Sequence, residues 1–157
     1  MEIKLFNTPV EIGMRCLIAL RAMGPAGADL ERIMYYDYLS LNTADLNGPE
    51  SLHPPIPNRG IQVYARKDLI SKGLLLLLSK ELVDLRPTAS GFIYAINASG
   101  EKFLEYFQTN YFQALVARID WTQKEFGAIP NQQIKKYIDT NLQHWGGEFL
   151  ADKPATP

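Results

Sequence analysis

The chain of 157 residues contains one cysteine and two histidines, and these low numbers exclude several kinds of chemistry. A single cysteine cannot form an internal disulfide, which fits a reducing compartment. Because Cys16 lies in an apolar helical segment, we expect a buried and unreactive thiol. A zinc site needs more soft ligands than Cys16, His53 and His144 supply, so the sequence predicts no metal. It also contains neither a Walker loop nor a dinucleotide fingerprint, and we expect no cofactor.

Long apolar runs and an excess of charge of one sign are also missing. The most apolar stretch, residues 74–78, is bracketed by Lys72 and Lys80, whereas a membrane span needs about 20 apolar residues. The N-terminal residues do not resemble a secretory signal, so we expect a cytoplasmic protein with no membrane partner. The formal net charge of −1 argues against non-specific DNA binding by the whole surface, because such binding requires a basic excess.

Capping residues and hydrophobic periodicity predict two helices in the first 41 residues. Thr8 is a capping residue followed by proline, and it predicts a helix that ends at Gly24. Arg15 and Arg21 are expected on the solvated side of this helix. A second helix should cover roughly residues 29–41. Its tyrosines are expected to pack in and around the core, although stacking on bases or on a partner remains an alternative. They are Tyr35, Tyr36 and Tyr38.

A third helix and a β-hairpin are predicted next. The helix covers residues 62–80 and is expected to break near Gly73. Residues 82–86 and 92–96 are strand-like, and the segment 87–91 between them has the composition of a turn. Three helices followed by a two-stranded hairpin is the order of a winged helix-turn-helix.

Two more helices are predicted after the hairpin, over residues 99–126 and 131–144. A wide apolar stripe on the first of them requires cover from the winged helix, from another subunit or from both. The predicted fold is therefore α+β, mostly α, with a winged helix-turn-helix and a long C-terminal helical extension. Its expected divisions are a winged-helix core over 1–97, C-terminal helices over 98–145 and a flexible tail over 146–157.

A long proline-rich loop is predicted over residues 42–60. A loop of this length in a compact domain is usually functional or disordered, and its apolar residues indicate that it packs down. Glu50, Ser51 and His53 could be arranged as a catalytic set, but residues so close in sequence do not easily form a triad. Hydrogen bonds that stabilise the loop are the simpler role for His53 and Glu50. We therefore predict no catalytic residue and no enzymatic activity.

Basic side chains gather around the third helix, and another lies in the hairpin. In winged helices that bind DNA, the third helix enters the major groove. Here Asp68 interrupts the basic set, so a solvated face, phosphate contact and an acidic protein partner all remain open. The candidate DNA-contact residues are Arg66, Lys67, Lys72 and Arg86.

Four segments together resemble a known protein family. They are LFNTPVEIGMRCLIAL (5–20), DLERIMYYDYL (29–39), GPESLHPPIPNRG (48–60) and LISKGLLLLLSKELV (69–83). The family is the type 2 middle component of bacterial three-component ABC ATPase (ABC-3C) systems, and the resemblance spans roughly residues 4–127. Its most specific part is the segment beginning at Gly48.

The resemblance implies a winged-helix adaptor encoded beside an SMC-like ATPase and an effector, often a nuclease, as in Lamassu-type anti-phage defence. It implies that the chain binds the ATPase and the effector subunit, and reaches DNA through the complex. The family has no catalytic residues to carry over. The residues that match its characteristic loop, and that we expect to bind a partner, are Gly48, Pro49, Glu50, Ser51, Leu52, His53, Pro57 and Arg59.

Two other functions remain open from the sequence. A dimeric winged-helix transcription regulator would bind DNA directly, and it should have a clearly basic third helix and wing, which are mixed here. An enzyme with an unrecognised site at His53 should have a pocket there with a perturbed carboxylate.

Overall fold

The computed structural model describes residues 8–53, 62–142 and 144–145, and this part of the chain is mostly helical. Pro57, Arg59 and the predicted tail over 146–157 lie outside the described residues. The predicted α+β class with mostly α content is confirmed. The elements are α1 (Pro9–Met23), α2 (Leu30–Leu41), a short 3-10 helix (Thr43–Leu46), α3 (Gln62–Ala65), α4 (Lys67–Ser79), β1 (Val83–Thr88), β2 (Gly91–Ile96), α5 (Ala98–Glu105), α6 (Asn110–Phe126) and α7 (Asn131–Asn141).

The ends of α1 and α2 agree with their capping residues. The hydroxyl of Thr8 accepts the backbone N–H of Glu11 at 3.3 Å, which satisfies one of the free donors at the start of α1. Gly24 ends α1 with a φ of 80°, in the left-handed region that glycine adopts without strain. The carboxylate of Asp29 caps α2 by accepting the N–H of Arg32 at 2.8 Å.

Two predicted long helices are each divided into two. The third helix breaks at Arg66 and not near Gly73, which lies inside α4. The helix predicted over residues 99–126 is interrupted between α5 and α6, because the Thr109 side chain accepts the N–H of Phe112 and starts a new helix. The cap of α5 is Asn97, two residues before the predicted start of this helix at residue 99.

The core is built around α1, which contacts α2, α4, α5, α6 and β2. A helix with apolar residues nearly all round must be surrounded on most sides. Cys16 is buried, as predicted, and burial raises the pKa of its thiol, so the reactive thiolate is disfavoured. The three tyrosines of α2 are buried too, which confirms their predicted place in the core. The α1 residues with 0% exposure are Ile12, Leu17, Ile18 and Leu20.

Two glycines allow α1 and α4 to lie close together. A Cβ atom added to Gly73 would lie 2.9 Å from the backbone nitrogen of Gly13 and 3.0 Å from Cγ2 of Ile12. A Cβ at Gly13 would lie 3.2 Å from the carbonyl oxygen of Gly73. This close contact is the physical reason that α4 has glycine at position 73, where a larger residue would not fit.

The predicted hairpin is confirmed, with β1 and β2 antiparallel. Its register runs from Val83 opposite Ile96 to Thr88 opposite Gly91, leaving a two-residue turn. On its other side β2 forms a bridge with Ala28, in the connection between α1 and α2. The hairpin is therefore attached to the helical core at its base.

One arginine attaches the C-terminal helix to α2. The guanidinium of Arg32 donates to the side-chain oxygen of Asn131 at 2.7 Å, and the Asn131 amide donates to the Asp29 carboxylate at 3.1 Å. Arg32 also donates to backbone carbonyls near the end of α6, which satisfies acceptors that a helix end leaves free. These carbonyls belong to Phe126, Gly127 and Ile129, at 3.0–3.1 Å.

We expect Gly73→Val to destabilise the protein, because a branched side chain must push α1 and α4 apart. Overpacking of this kind costs about 1–3 kcal/mol of unfolding free energy. Leu75→Val is the matched control, since it places the same side chain at an exposed position of α4. Thermal unfolding followed by circular dichroism measures both. Equal melting temperatures for the two variants would contradict the close packing of these helices.

Candidate partner-binding site

Residues 48–51 of the predicted loop fold back on the short 3-10 helix. The hydroxyl of Thr43 donates to the carbonyl of Pro49 at 2.7 Å, and the N–H of Gly48 donates to the carbonyl of Thr43 at 2.9 Å. The hydroxyl of Ser51 accepts the N–H of Ala44 at 3.1 Å. The first part of the loop is therefore held by its own backbone and does not extend freely into solvent.

The same segment is attached to α6. Arg118 donates from Nε to the backbone carbonyl of Glu50 at 2.9 Å. Nε2 of His53 lies 2.9 Å from the hydroxyl of Tyr111, and their rings meet edge to face. Leu52 is partly buried against the core. The loop thus uses its backbone and the side chains of Ser51, Leu52 and His53 for attachment, while the side chain of Glu50 remains exposed.

Gly48 is required where the loop passes over Trp121. A Cβ atom at this position would lie within 2.5 Å of the indole ring, and the preceding Asn47 already has a φ of 58°. Asparagine is one of the residues that tolerates this left-handed conformation. The sequence Asn47-Gly48 therefore produces the sharp turn that brings Pro49 and Glu50 to the surface.

Beneath the loop lies a buried ionic cluster of Arg15, Asp37 and Arg66. The prediction that Arg15 lies on the solvated side of α1 is wrong: its side chain is 3% exposed, and Nε donates to Oδ1 of Asp37 at 2.7 Å. Arg66 approaches the other oxygen of Asp37 at 3.1 Å, with its side chain 16% exposed. Because the charged partner lies inside the protein, Arg15 is drawn inward. The cluster joins α1, α2 and the break between α3 and α4.

The electrostatics of the cluster keep Asp37 and Arg15 charged. Burial alone would raise the pKa of Asp37, but the nearby Arg15 and Arg66 lower it below its usual value. Burial would likewise lower the pKa of Arg15, but the Asp37 carboxylate raises it. For His53, burial and the positive charges of Arg15 and Arg66 lower the pKa, which favours the neutral imidazole.

Four basic residues were predicted as candidate DNA contacts, and the structure places them in different surroundings. Arg66 belongs to the ionic cluster. Arg86, in the hairpin, donates to the carbonyl of Pro25 at 2.9 Å. Lys67 and Lys72 have exposed side chains on α4. A DNA-contact role for these residues stays a prediction.

Comparison with protein families identifies the family to which this chain is related. The family described as ABC-three component (ABC-3C) system Middle Component 2 matches residues 5–148. The chain belongs to this family. The resemblance found in residues 4–127 is confirmed, and the match continues through α7 of the middle component. No curated protein and no solved structure matches the chain significantly.

Two features are absent from the described residues of the middle component. Within residues 8–53, 62–142 and 144–145, no group of three or more histidine, cysteine, aspartate or glutamate side chains is placed to hold a metal ion. No helix in the same part of the chain is long and apolar enough to cross a membrane.

Sequence reasoning missed the residues that support the loop. Tyr111, Arg118 and Trp121 lie on α6, about 60 or more positions from their partners in the loop, and no local pattern connects them. Asp37 did carry a signal, since it is one acidic residue among the buried positions of α2. A charge on a buried helix face requires a paired charge, and Arg15 is the cation that α1 supplies.

We expect Asp37→Asn to destabilise the middle component strongly, because it removes the anion shared by the buried Arg15 and the partly buried Arg66. Breaking a buried ion pair costs about 3–5 kcal/mol, which lowers the melting temperature by roughly 10 °C. Asp120→Asn, at an exposed position of α6, is the control and should change little. Urea unfolding at neutral pH measures the free energy of unfolding of both variants, and thermal unfolding measures their melting temperatures.

The loss of stability in the Asp37→Asn variant should also depend on pH. The folded-state pKa of Asp37 is lowered, so its stabilisation is fully present above the unfolded pKa of about 3.9. It is lost as the pH falls through the lower folded pKa. The stability difference between the unmodified protein and Asp37→Asn should therefore shrink below about pH 4. A difference that stays constant into acid would contradict the paired carboxylate.

Proposed function

We propose that this middle component is a non-enzymatic adaptor that connects the SMC-like ATPase of its ABC-3C system to an effector subunit such as a nuclease. Membership of the middle component family over residues 5–148 is the observation that carries the proposal. By the resemblance stated above, we further propose that the system is a Lamassu-like anti-phage defence complex and that DNA reaches the adaptor through the complex.

The fold supports this proposal in one respect. Helices α1, α2 and α3–α4 followed by the β1–β2 hairpin have the order of a winged helix-turn-helix, and we propose that fold for residues 1–97. Winged helices serve both DNA binding and protein contact, so the function of this protein depends on its exposed surfaces rather than on its fold alone. The exposed lysines of α4 support a dimeric DNA-binding regulator as the second candidate.

The loop over residues 48–53 is the proposed partner surface. Its hydrogen bonds to the 3-10 helix and to α6 hold it before a partner arrives, so little conformational entropy remains to be lost on docking. Pro49 and Glu50 are its exposed side chains. Because only the backbone carbonyl of Glu50 contacts Arg118, its carboxylate is available to a basic group on the partner.

We expect Glu50→Lys to weaken assembly without changing stability. Co-expressed with the ATPase and effector of its system, the unmodified middle component should form a complex that survives gel filtration. Glu50→Lys should lose about tenfold or more in affinity, equivalent to about 1.4 kcal/mol, because the charge at the interface is reversed. Glu101→Lys, a charge reversal at an exposed position of α5, is the control.

The outcomes separate the two parts of the proposal. Failure of the unmodified middle component to associate with the ATPase or the effector would contradict the adaptor function itself. Normal assembly of the Glu50→Lys variant would contradict only the assignment of the loop as the interface. A large fall in melting temperature for this variant would show that the side chain is structural.

DNA binding distinguishes the adaptor from the regulator. With a net charge of −1, the isolated protein should bind DNA weakly and with strong salt dependence. In the assembled complex, Lys67→Glu with Lys72→Glu should lower DNA affinity, and Lys102→Glu with Lys124→Glu, on α5 and α6, should not. Fluorescence anisotropy at several salt concentrations measures this. Tight, sequence-specific binding by the isolated protein would favour the dimeric regulator.

A further inference from the structure

A cleft of about 510 Å³ lies between α2, the α3–α4 break, β2 and α7. Its size falls in the range of about 300–1,000 Å³ that is typical of ligand sites. The wall is largely aromatic and apolar, and Phe92 on β2 is 59% exposed. Exposed aromatic side chains beside a concave surface are typical of binding sites. The apolar and aromatic lining residues are Leu30, Met34, Tyr35, Tyr64, Phe92 and Tyr94.

The backbone of β2 presents hydrogen-bonding groups on this side. The N–H of Tyr94 donates to the carbonyl of Ala28 at 2.8 Å, and the carbonyl of Tyr94 accepts the N–H of Ala28 at 2.9 Å. Both groups therefore point away from β1. In an antiparallel pair the backbone groups of alternate residues point to the same side, so those of Phe92 point away from β1 as well. Its partner Pro87 has no N–H, which fits a position without ladder hydrogen bonds.

Beyond Ala28, the chain turns away from this strand edge and enters α2. Within residues 8–53, 62–142 and 144–145, the backbone of Phe92 has no hydrogen bond outside the hairpin. The edge of β2 thus presents one N–H and one carbonyl beside the cleft. The outer edge of β1 is less suited to pairing, because Pro87 removes a donor there.

We propose that the cleft receives an extended peptide segment from another component of the ABC-3C system. The segment pairs with the backbone of Phe92 as an added strand and places an apolar side chain among the aromatic rings. This proposal rests on the adaptor function proposed above. An extended peptide is the occupant whose own N–H and carbonyl match those of Phe92, while its alternate side chains reach the cleft.

The charges around the cleft favour a peptide over nucleic acid. Two carboxylates and two ammonium groups line it, so its formal charge is balanced. A nucleic-acid site would require a basic excess to bind phosphates. Lys135 is moreover held by Asp139 at 2.7 Å and lies over the ring of Tyr64. The four charged lining residues are Asp29, Glu31, Lys67 and Lys135.

Amide hydrogen exchange tests the strand pairing directly. Mass spectrometry resolved to single residues should compare the isolated protein with the complex formed by co-expression with the ATPase and effector. The Phe92 amide should exchange at least about tenfold more slowly in the complex, because a hydrogen bond protects it. An unchanged Phe92 amide in a complex that does form would overturn the proposal and leave the adaptor function standing.

A pair of substitutions tests the side-chain contribution. Phe92→Asp should weaken assembly by about tenfold or more, because it removes an aromatic anchor and places a charge beside the cleft. Leu75→Asp is the matched control, since Leu75 is 64% exposed on α4 and does not line the cleft. Equal assembly of the two variants would overturn the proposal. Melting temperatures of both should stay close to that of the unmodified protein.

Other occupants give different results. If Phe92 is already protected in the isolated protein and the protection rises with concentration, a second copy of the chain occupies the cleft. If the protection disappears on removal of residues 146–157, the chain's own C-terminal segment occupies the cleft. Either result overturns the proposal. If no complex forms with the other components, the adaptor function fails and this proposal fails with it.

Discussion

The packing of helices α1 to α4 depends on the buried carboxylate of Asp37. Its two oxygens bind guanidinium groups from different parts of the chain, Arg15 at 2.7 Å and Arg66 at 3.1 Å. Removing these charges from water costs several kcal/mol per ion, and only close geometry offsets that cost. A shift of α1, α2 or the α3–α4 break would separate charges that are already desolvated. The cluster therefore favours one arrangement of these helices over alternatives that apolar packing alone would tolerate.

That arrangement also determines where the loop after α2 can lie. Arg66 stands at the break between α3 and α4, so the ionic cluster fixes the helices that follow the loop in sequence. Residues 48–53 of the loop are held separately, because α6 packs on α1 and α2 and contacts these residues through Tyr111 and Arg118. Gly48 completes the fit over Trp121. A surface segment is thus positioned by the core and by α6 rather than by regular structure of its own.

Local signals in the sequence were sufficient for some features and not for others. The cap at Thr8, the stop at Gly24 and the hairpin depend on neighbouring residues, and all three were predicted. The burial of Arg15 depends on a partner distant in sequence, so periodicity could not reveal it. The new helix at Thr109 starts at a local cap, which periodicity alone did not reveal. For the candidate site, prolines such as Pro49 identified the loop. Its attachment to α6 required the folded structure.

An adaptor with two such surfaces can separate specificity from affinity. The loop presents Pro49 and the charged Glu50, while Leu52 is already used against the core, so the loop adds little apolar area to a complex. Polar contacts at the rim of an interface mainly select partners and affect association rates. The cleft beside Phe92 has the opposite character, with aromatic rings and a strand edge that would bind the proposed peptide segment. On the two proposals above, the loop discriminates between partners and the cleft retains the correct one.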